Sequence, residues 1–438
     1  MPLNRQSTRP PAVIVMSDLA ALARQHLLIT DIAERRLASL VIVGPSTDLA
    51  KLTGFIGDGA HPLSRIAAVR QLPDAAIDTV LSSVQDWIVN FDVRGVICSG
   101  EVFVDAAGVL SEALGLPGPG TWAARVCRDK VMQRVVLRDY GPSWRSFAPH
   151  ERDAVTSDTY PCVVKPAGRM FSSGVVRVEN DAELHAALSA YGPDETILVE
   201  ELVTGPEFSV EALVDRGELV WSGVTAKITN EDSSPYFTEI GHTSPAKLPL
   251  PQSDALITAN AAVLKALRFS SGITHVEFRL RDGQPVLMEV AARLPGDAIT
   301  MLWYLATGRL IEPAMVDLAL GVRTEYPAPT RRAVQRFAHH RPGRLADVHY
   351  AGQTVSWITE DGYWPTVTPS DIHGPARCVS VMVGLPRGAE LGTLNESNGR
   401  SASVVVDLPW EADPDSAVLA FLDQVELVID GATDDNRG

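Results

Sequence analysis

The stretch HVEFRLRDGQPVLMEV, residues 275–290, constrains this chain more than any other. Two alternating runs flank the link Arg281-Asp282-Gly283-Gln284, which reads as a β-hairpin. In the first run Val276, Phe278 and Leu280 fall on one face and Glu277 on the other. In the second, Val286, Met288 and Val290 fall on one face and Glu289 on the other. A two-residue Asp-Gly loop would set these apolar rows on opposite faces. A three-residue loop, Arg281-Asp282-Gly283 with Gly283 left-handed, aligns them. The pattern therefore predicts Glu277 opposite Leu287, with Glu289 its diagonal neighbour about 7–8 Å away. Facing carboxylates repel, so a divalent cation is their natural partner. The competing reading is a solvated face with Arg279 and Arg281 as counter-charges. Arg293 and the turn Pro295-Gly296-Asp297 weigh against it, because Asp297 is placed to cap the helix AITMLWYLATG.

The first third of the chain follows another rhythm. PAVIVM, SLVIVG and GVICSGE are apolar strand signals separated by helical stretches, the first at about residues 18–25. This alternation predicts an open α/β sheet over residues 1–122. TWAARVCRDKVMQRVVLRDYG reads as one helix ended by Gly141-Pro142. YPCVVKPAG leads into the loop GRMFSSG, and VVRVEN, a helix and ETILVEELV follow. EFSVEALVD, ELVWSGVTAKI and the hairpin complete an α+β region over residues 123–326. YPAPTRR reads as a linker. The remainder, residues 327–438, reads as a C-terminal α+β domain.

The chain has 438 residues and a net charge of −16. That acidity argues against nonspecific nucleic-acid binding. Four dispersed cysteines form no CxxC pair, so a reduced, cytoplasmic protein is expected. No apolar run approaches the roughly 18 residues a membrane span needs. The opening MPLNRQSTRPP lacks an apolar core, so no secretion signal is expected there.

Asp129-Lys130, PCVVKP, VEELVTGPEFSVE and the paired glutamates, in this order over about 200 residues, resemble the ATP-grasp superfamily. The closer resemblance is to the L-amino acid ligases, carboxylate–amine ligases that form dipeptides. It rests on GVICSGEVFVDAAGVLSEALGLPG followed by CRDK, on YFTEIGHTSPAKLP as a substrate loop, and on VQRFAHHRPGRL as the opening of the C-terminal domain.

The resemblance divides residues 123–326 into a small lid subdomain at about 145–200 and a catalytic subdomain at about 201–326. It implies ATP with Mg²⁺, for which Mn²⁺ can substitute, and Glu277 and Glu289 as metal ligands. Lys130 and Lys165 would contact the nucleotide phosphates, Lys165 also the adenine, and Lys227 the terminal phosphate. The loop carrying Gly168, Ser172, Ser173 and Gly174 would fold over the phosphates. In the adenine segment Glu200 would accept from the amino group, with Glu201, Leu202 and Val203 beside it and the backbone of Leu202 pairing with the ring. Glu207 would hold the ribose hydroxyls. Glu239, His242, Gly296 and Asp297 would surround the substrate, His242 orienting it or sensing its amine. Arg293 would bind the acyl phosphate or a substrate carboxylate. Trp303, Tyr236 and Phe237 are candidates to line side-chain pockets.

One position departs from the pattern. ATP-grasp enzymes commonly carry asparagine two residues past the second glutamate, where this chain has Ala291. Mg²⁺ keeps several waters and needs few carboxylates, so the loss is tolerable. The expected partners are small amino acid substrates, and a homodimer is the commonest arrangement for such chains. Two alternatives stand beside this reading. One is an ATP-grasp ligase with another amine donor, or a carboxylase; the other is a nucleotide-binding regulator without ligase activity.

Overall fold

A computed structural model of the protein describes residues 8–431. Part of the polar opening read for a secretion signal, residues 1–7, lies outside them. The first sheet has four parallel strands in the order Ile66–Gln71, Ala38–Val43, Pro11–Ser17, Asp92–Cys98. Pro11–Ser17 and Ala38–Val43 are β-branched and almost wholly buried, as strands covered on both faces must be. Ile66–Gln71 escapes the sequence pattern because it is only half-buried at the sheet's edge. The helix Leu19–Arg24 starts where Asp18 accepts from the Ala21 amide at 2.8 Å.

The strand order reverses between Pro11–Ser17 and Asp92–Cys98, so a crevice opens at their carboxyl ends. Ser99 donates to Ser17 Oγ at 2.8 Å across it. A Cβ at Gly100 would lie 2.9 Å from the Ser17 carbonyl carbon, so only glycine lets the two ends close up. Glu101 follows immediately and points out of this edge toward Arg293.

Residues 121–141 form two helices, Thr121–Arg128 and Lys130–Val136, and not the single one expected. Asp129 is extended (φ −118°, ψ 110°), and its side chain accepts from the Met132 amide at 2.9 Å. A capping aspartate thus overrides a continuous helical pattern and sets Lys130 at the start of the second helix.

A small antiparallel sheet follows, in the order Trp144–Phe147, Ile197–Glu201, Cys162–Pro166, Val176–Val178, with the helix Asp181–Leu188 packed on it. The largest sheet has nine strands: Gln284–Ala291, Gly272–Arg281, Glu207–Asp215, Glu218–Thr229, Glu239–Ser244, Arg331–Phe337, Ala402–Pro409, Arg377–Val383 and Val355–Trp357. Strands after residue 330 therefore extend the central sheet. YPAPTRR is not a solvated linker: Tyr326 packs edge-on to Trp221, and buried Arg331 pairs with Asp407 at 2.6 Å. A sheet closed by buried ion pairs hides a boundary that proline content suggested.

The hairpin of residues 272–291 departs from the expected register. Asp282 and Gly283 both have positive φ (52° and 77°), and Arg281 pairs with Gln284, so the loop has two residues. The pairing runs back to Phe278–Leu287 and then shifts. Met288 is bulged out, and Glu277 faces Glu289 directly, with Val276 facing Val290. The bulge solves the phase problem that the three-residue loop was meant to solve. Leu287, not Met288, joins Val290 in the core beside Val276 and Phe278.

Candidate active site

The small sheet and the hairpin meet at a buried ion triad. Glu200, 4% exposed, accepts from Arg134 Nε at 2.7 Å and from Lys165 Nζ at 2.8 Å. Arg134 also donates to the carbonyl of the bulged Met288 at 2.6 Å, so the bulge anchors the triad. Burial alone would raise the Glu200 pKa, but Lys165 and Arg134 outweigh it and hold the group at about 2. Burial outweighs Glu200 at Lys165 and lowers that ammonium's pKa. Glu200 was expected to accept from adenine, yet both its oxygens already serve the two cations. Glu201 is likewise engaged, with Arg281 and with Ser143 Oγ at 3.1 Å. Val203 is buried and its carbonyl accepts from Arg279 at 3.2 Å, while Leu202 is half-buried.

Lys130 reaches Glu289 at 3.2 Å and the Arg169 carbonyl at 3.0 Å, joining the hairpin to the loop of residues 168–174. In that loop Phe171, Ser172 and Gly174 have positive φ, and Ser173 donates its amide to the Met170 carbonyl. Tyr191 holds the Gly174 carbonyl at 2.7 Å. Gly168 has open space around its Cα.

Glu277 and Glu289 rise from paired positions on one sheet face, with side chains 23% and 33% exposed. Beneath them lies a dense charge network. Lys227 sits among Glu239, Glu277 at 2.5 Å and Glu207 at 3.7 Å. Burial opposes its charge, but the three carboxylates raise its pKa well above normal. His275 bridges Glu211 at 2.9 Å and Glu277 at 3.1 Å. Burial would lower its pKa, yet hydrogen bonds to both glutamates raise it to about 9. Burial is outweighed at Glu277 too: Lys227 and His275 hold it far below the carboxylate range. Glu207 accepts from Arg279 at 2.8 Å, but burial dominates and raises its pKa. Hard oxygen donors on one face, partly open and flanked by ammonium groups, fit Mg²⁺ with its phosphate-bound nucleotide.

At the other end of the network Asp297 (φ 48°) is held by two side chains through three bonds. His242 Nε2 lies 2.8 Å from it, and Arg400 grips it bidentately at 2.7 and 2.8 Å. Burial is overcome by Arg400 and His242, which keep Asp297 ionised far below the usual range. Asp297 therefore does not cap the helix Ile299–Thr307. Its N-cap is Ala298, whose amide donates to Gln335 at 3.0 Å. The donor atoms of Glu239, His242 and Asp297 lie within 4.8 Å of one another. Arg400 and Lys227 already neutralise this trio, which makes it a hydrogen-bonding network and not a cation cage. His242 is 0% exposed, so it can act on a substrate only through Glu239 and Asp297. Arg293 pairs with Glu101 at the crevice of the first sheet. At Gly296 an added Cβ would meet nothing within 4 Å, so the residue borders open space. Trp303 lines no pocket: it is 1% exposed and donates to Glu211 at 3.0 Å. Phe237 lies 5.3 Å from the Arg279 guanidinium, and Tyr236 bridges to Val176.

Several of these residues carried no sequence expectation: Glu101, Arg134, Glu211, His275 and Arg400. Glu101 was findable, because it follows a parallel strand at a carboxyl-end crevice. Arg400 was not, since it arrives from more than a hundred residues away in a stretch without periodicity.

Residues 158–301 match the ATP-grasp domain family. Among curated proteins, uncharacterized protein y4rH of Sinorhizobium fredii is 31% identical over 245 residues, covering 53% of this chain and 50% of that protein. A D-alanine–D-alanine ligase of Sodalis glossinidius is 33% identical over 231 residues, covering 48% of this chain and 62% of that protein. The matches thus span about half to three-fifths of these relatives' lengths. Among solved structures, the L-amino acid ligase from Bacillus licheniformis superposes with a TM-score of 0.73 at 20% identity, over 97% of this chain and 100% of that one. Phosphoribosylglycinamide synthetase from Anaerococcus prevotii gives 0.67 at 14% identity, over 96% and 99%. No helix among the described residues is long and apolar enough to cross a membrane. Residues 158–301 are thus an ATP-grasp domain, set in a chain whose overall fold is similar to those of these two solved structures.

Proposed function

We propose that the protein is an ATP-dependent carboxylate–amine ligase that joins two amino acids through an acyl phosphate and releases ADP and phosphate. One observation carries the reading: Glu277 and Glu289 face each other across the hairpin, between Lys130 and Lys227 and on the side of Arg293. Glu277 and Glu289 would hold Mg²⁺, which when bound neutralises charge on the transferring phosphoryl group.

The chain's own residues do the rest. Lys130 and Lys165 hold the phosphates, with Glu200 orienting Lys165. Gly168, Ser172, Ser173 and Gly174 line the loop that covers them. The segment with Glu201, Leu202 and Val203 borders the adenine, and Glu207 holds the ribose. Lys227 lies nearest the terminal phosphate. Arg293, positioned by Glu101, meets the acyl phosphate. Glu239 and Asp297, fixed by His242, Lys227 and Arg400, offer carboxylates beside Gly296 to a substrate ammonium. Closing the loop excludes water that would otherwise hydrolyse the acyl phosphate.

The test is mass spectrometry of products from pooled L-amino acids with ATP and Mg²⁺. A dipeptide mass with stoichiometric ADP supports the ligase. Tight ATP binding without turnover on any member of the pool refutes it in favour of a regulator.

A further inference from the structure

Arg24 stands apart from the other cations of the site. Lys130, Lys165, Lys227, Arg293 and Arg400 each have a carboxylate partner. Arg24 makes no hydrogen bond or ion pair among the described residues, and its Nε is buried without a partner. It ends the helix Leu19–Arg24, which begins at the carboxyl end of the strand Pro11–Ser17. That is the crevice where Glu101 meets Arg293. Asp18, Arg293, Asp297 and Arg400 are the charged groups near enough to act on Arg24, which places it beside the substrate end of the site. The next residue, Gln25, is buried with both amide atoms unpartnered.

A half-buried guanidinium whose Nε has no hydrogen-bonded carboxylate is unfavourable, and an anionic ligand resolves it. Burial accordingly lowers the Arg24 pKa, with Asp18 opposing. Joining two amino acids consumes one carboxylate and leaves the other intact. The reacting one lies with the acyl phosphate at Arg293, on the side of Glu277 and Glu289. The intact one needs a cation of its own, and a planar guanidinium takes a carboxylate bidentately. We propose that Arg24 seats the carboxylate left unreacted, the α-carboxylate of the amine-donating amino acid. This inference rests on the ligase reading.

The experiment compares amine donors in wild type and Arg24→Ala: each standard L-amino acid against its C-terminal carboxamide, with saturating Mg·ATP. In wild type the acid is preferred over the amide by on the order of 10²-fold in kcat/KM. In Arg24→Ala the acid falls to the level of the amide, and the amide is unchanged. Arg24→Lys restores part of the preference. Equal losses for acid and amide, or no preference in wild type, overturn the assignment. If wild type makes no dipeptide from any donor, the ligase reading has failed. The seat is then read by thermal shift with Mg·ATP. Stabilisation by acids, not amides, that disappears in Arg24→Ala supports it; equal shifts in both proteins, or none, overturn it.

Discussion

Replacing Glu200 with glutamine isolates the ion triad that fixes Lys165. The carboxylate sits between Arg134 and Lys165, and all three side chains are at least nine-tenths buried. Its pKa falls from 4.5 to about 2 on folding. A depressed carboxylate stabilises the fold above its unfolded pKa, and that contribution disappears as pH drops toward 2. The shift corresponds to about 3 kcal/mol at neutral pH. Leaving two buried cations without their partner gives a similar loss, about 3–5 kcal/mol. Urea denaturation at pH 7 should therefore show Glu200→Gln destabilised by about 3–5 kcal/mol, with the gap narrowing below pH 4. Adding Lys165→Met should recover part of that loss, because one stranded charge goes with it. The KM for ATP should rise in Glu200→Gln, since Lys165 loses its orientation. A loss below about 1 kcal/mol, or strictly additive single and double variants, would refute the triad as the device that sets Lys165.

Two further outcomes follow, the first from a buried carboxyl outside the charge network, at the start of the helix Glu312–Ala319, and the second from within it. Burial raises the Glu312 carboxyl to about 7, so its stabilising neutral form is lost as pH rises through that value. Glu312→Gln should be more stable than wild type by up to about 3 kcal/mol at pH 8 and indistinguishable at pH 4, by chemical denaturation. Arg400→Ala frees Asp297 and His242, and should raise the KM for amino acid by on the order of 10-fold while leaving the KM for ATP unchanged, with Arg400→Lys intermediate; steady-state kinetics on the two substrates separates these effects.

The parts of this molecule that were legible are those written in local periodicity. The parallel strands announce themselves as β-branched runs, and the two glutamates as polar positions in apolar alternation. Their meeting was readable although the register was not. Asp282-Gly283 favours a two-residue turn, and only a bulge at Met288 reconciles that turn with the core. Bulges leave no trace in alternation, since they break it by one residue. Asp129 hides a helix break for a similar reason: helix and cap use the same residue types, and hydrogen bonding decides between them. What stayed illegible is long-range. Arg400 reaches Asp297, Arg134 reaches Glu200, and Trp303 turns inward to Glu211, each contact set by tertiary packing.

ADP release from Glu289→Gln, with Mg·ATP and the amino acids proposed as substrates, tests the central claim most directly. Glutamine keeps the shape and the hairpin but withdraws one hard anionic donor facing Glu277. The account predicts a fall of at least about 10²-fold in kcat, with an unaltered melting temperature. Turnover near the wild-type rate would place the phosphoryl-transfer site elsewhere in the molecule.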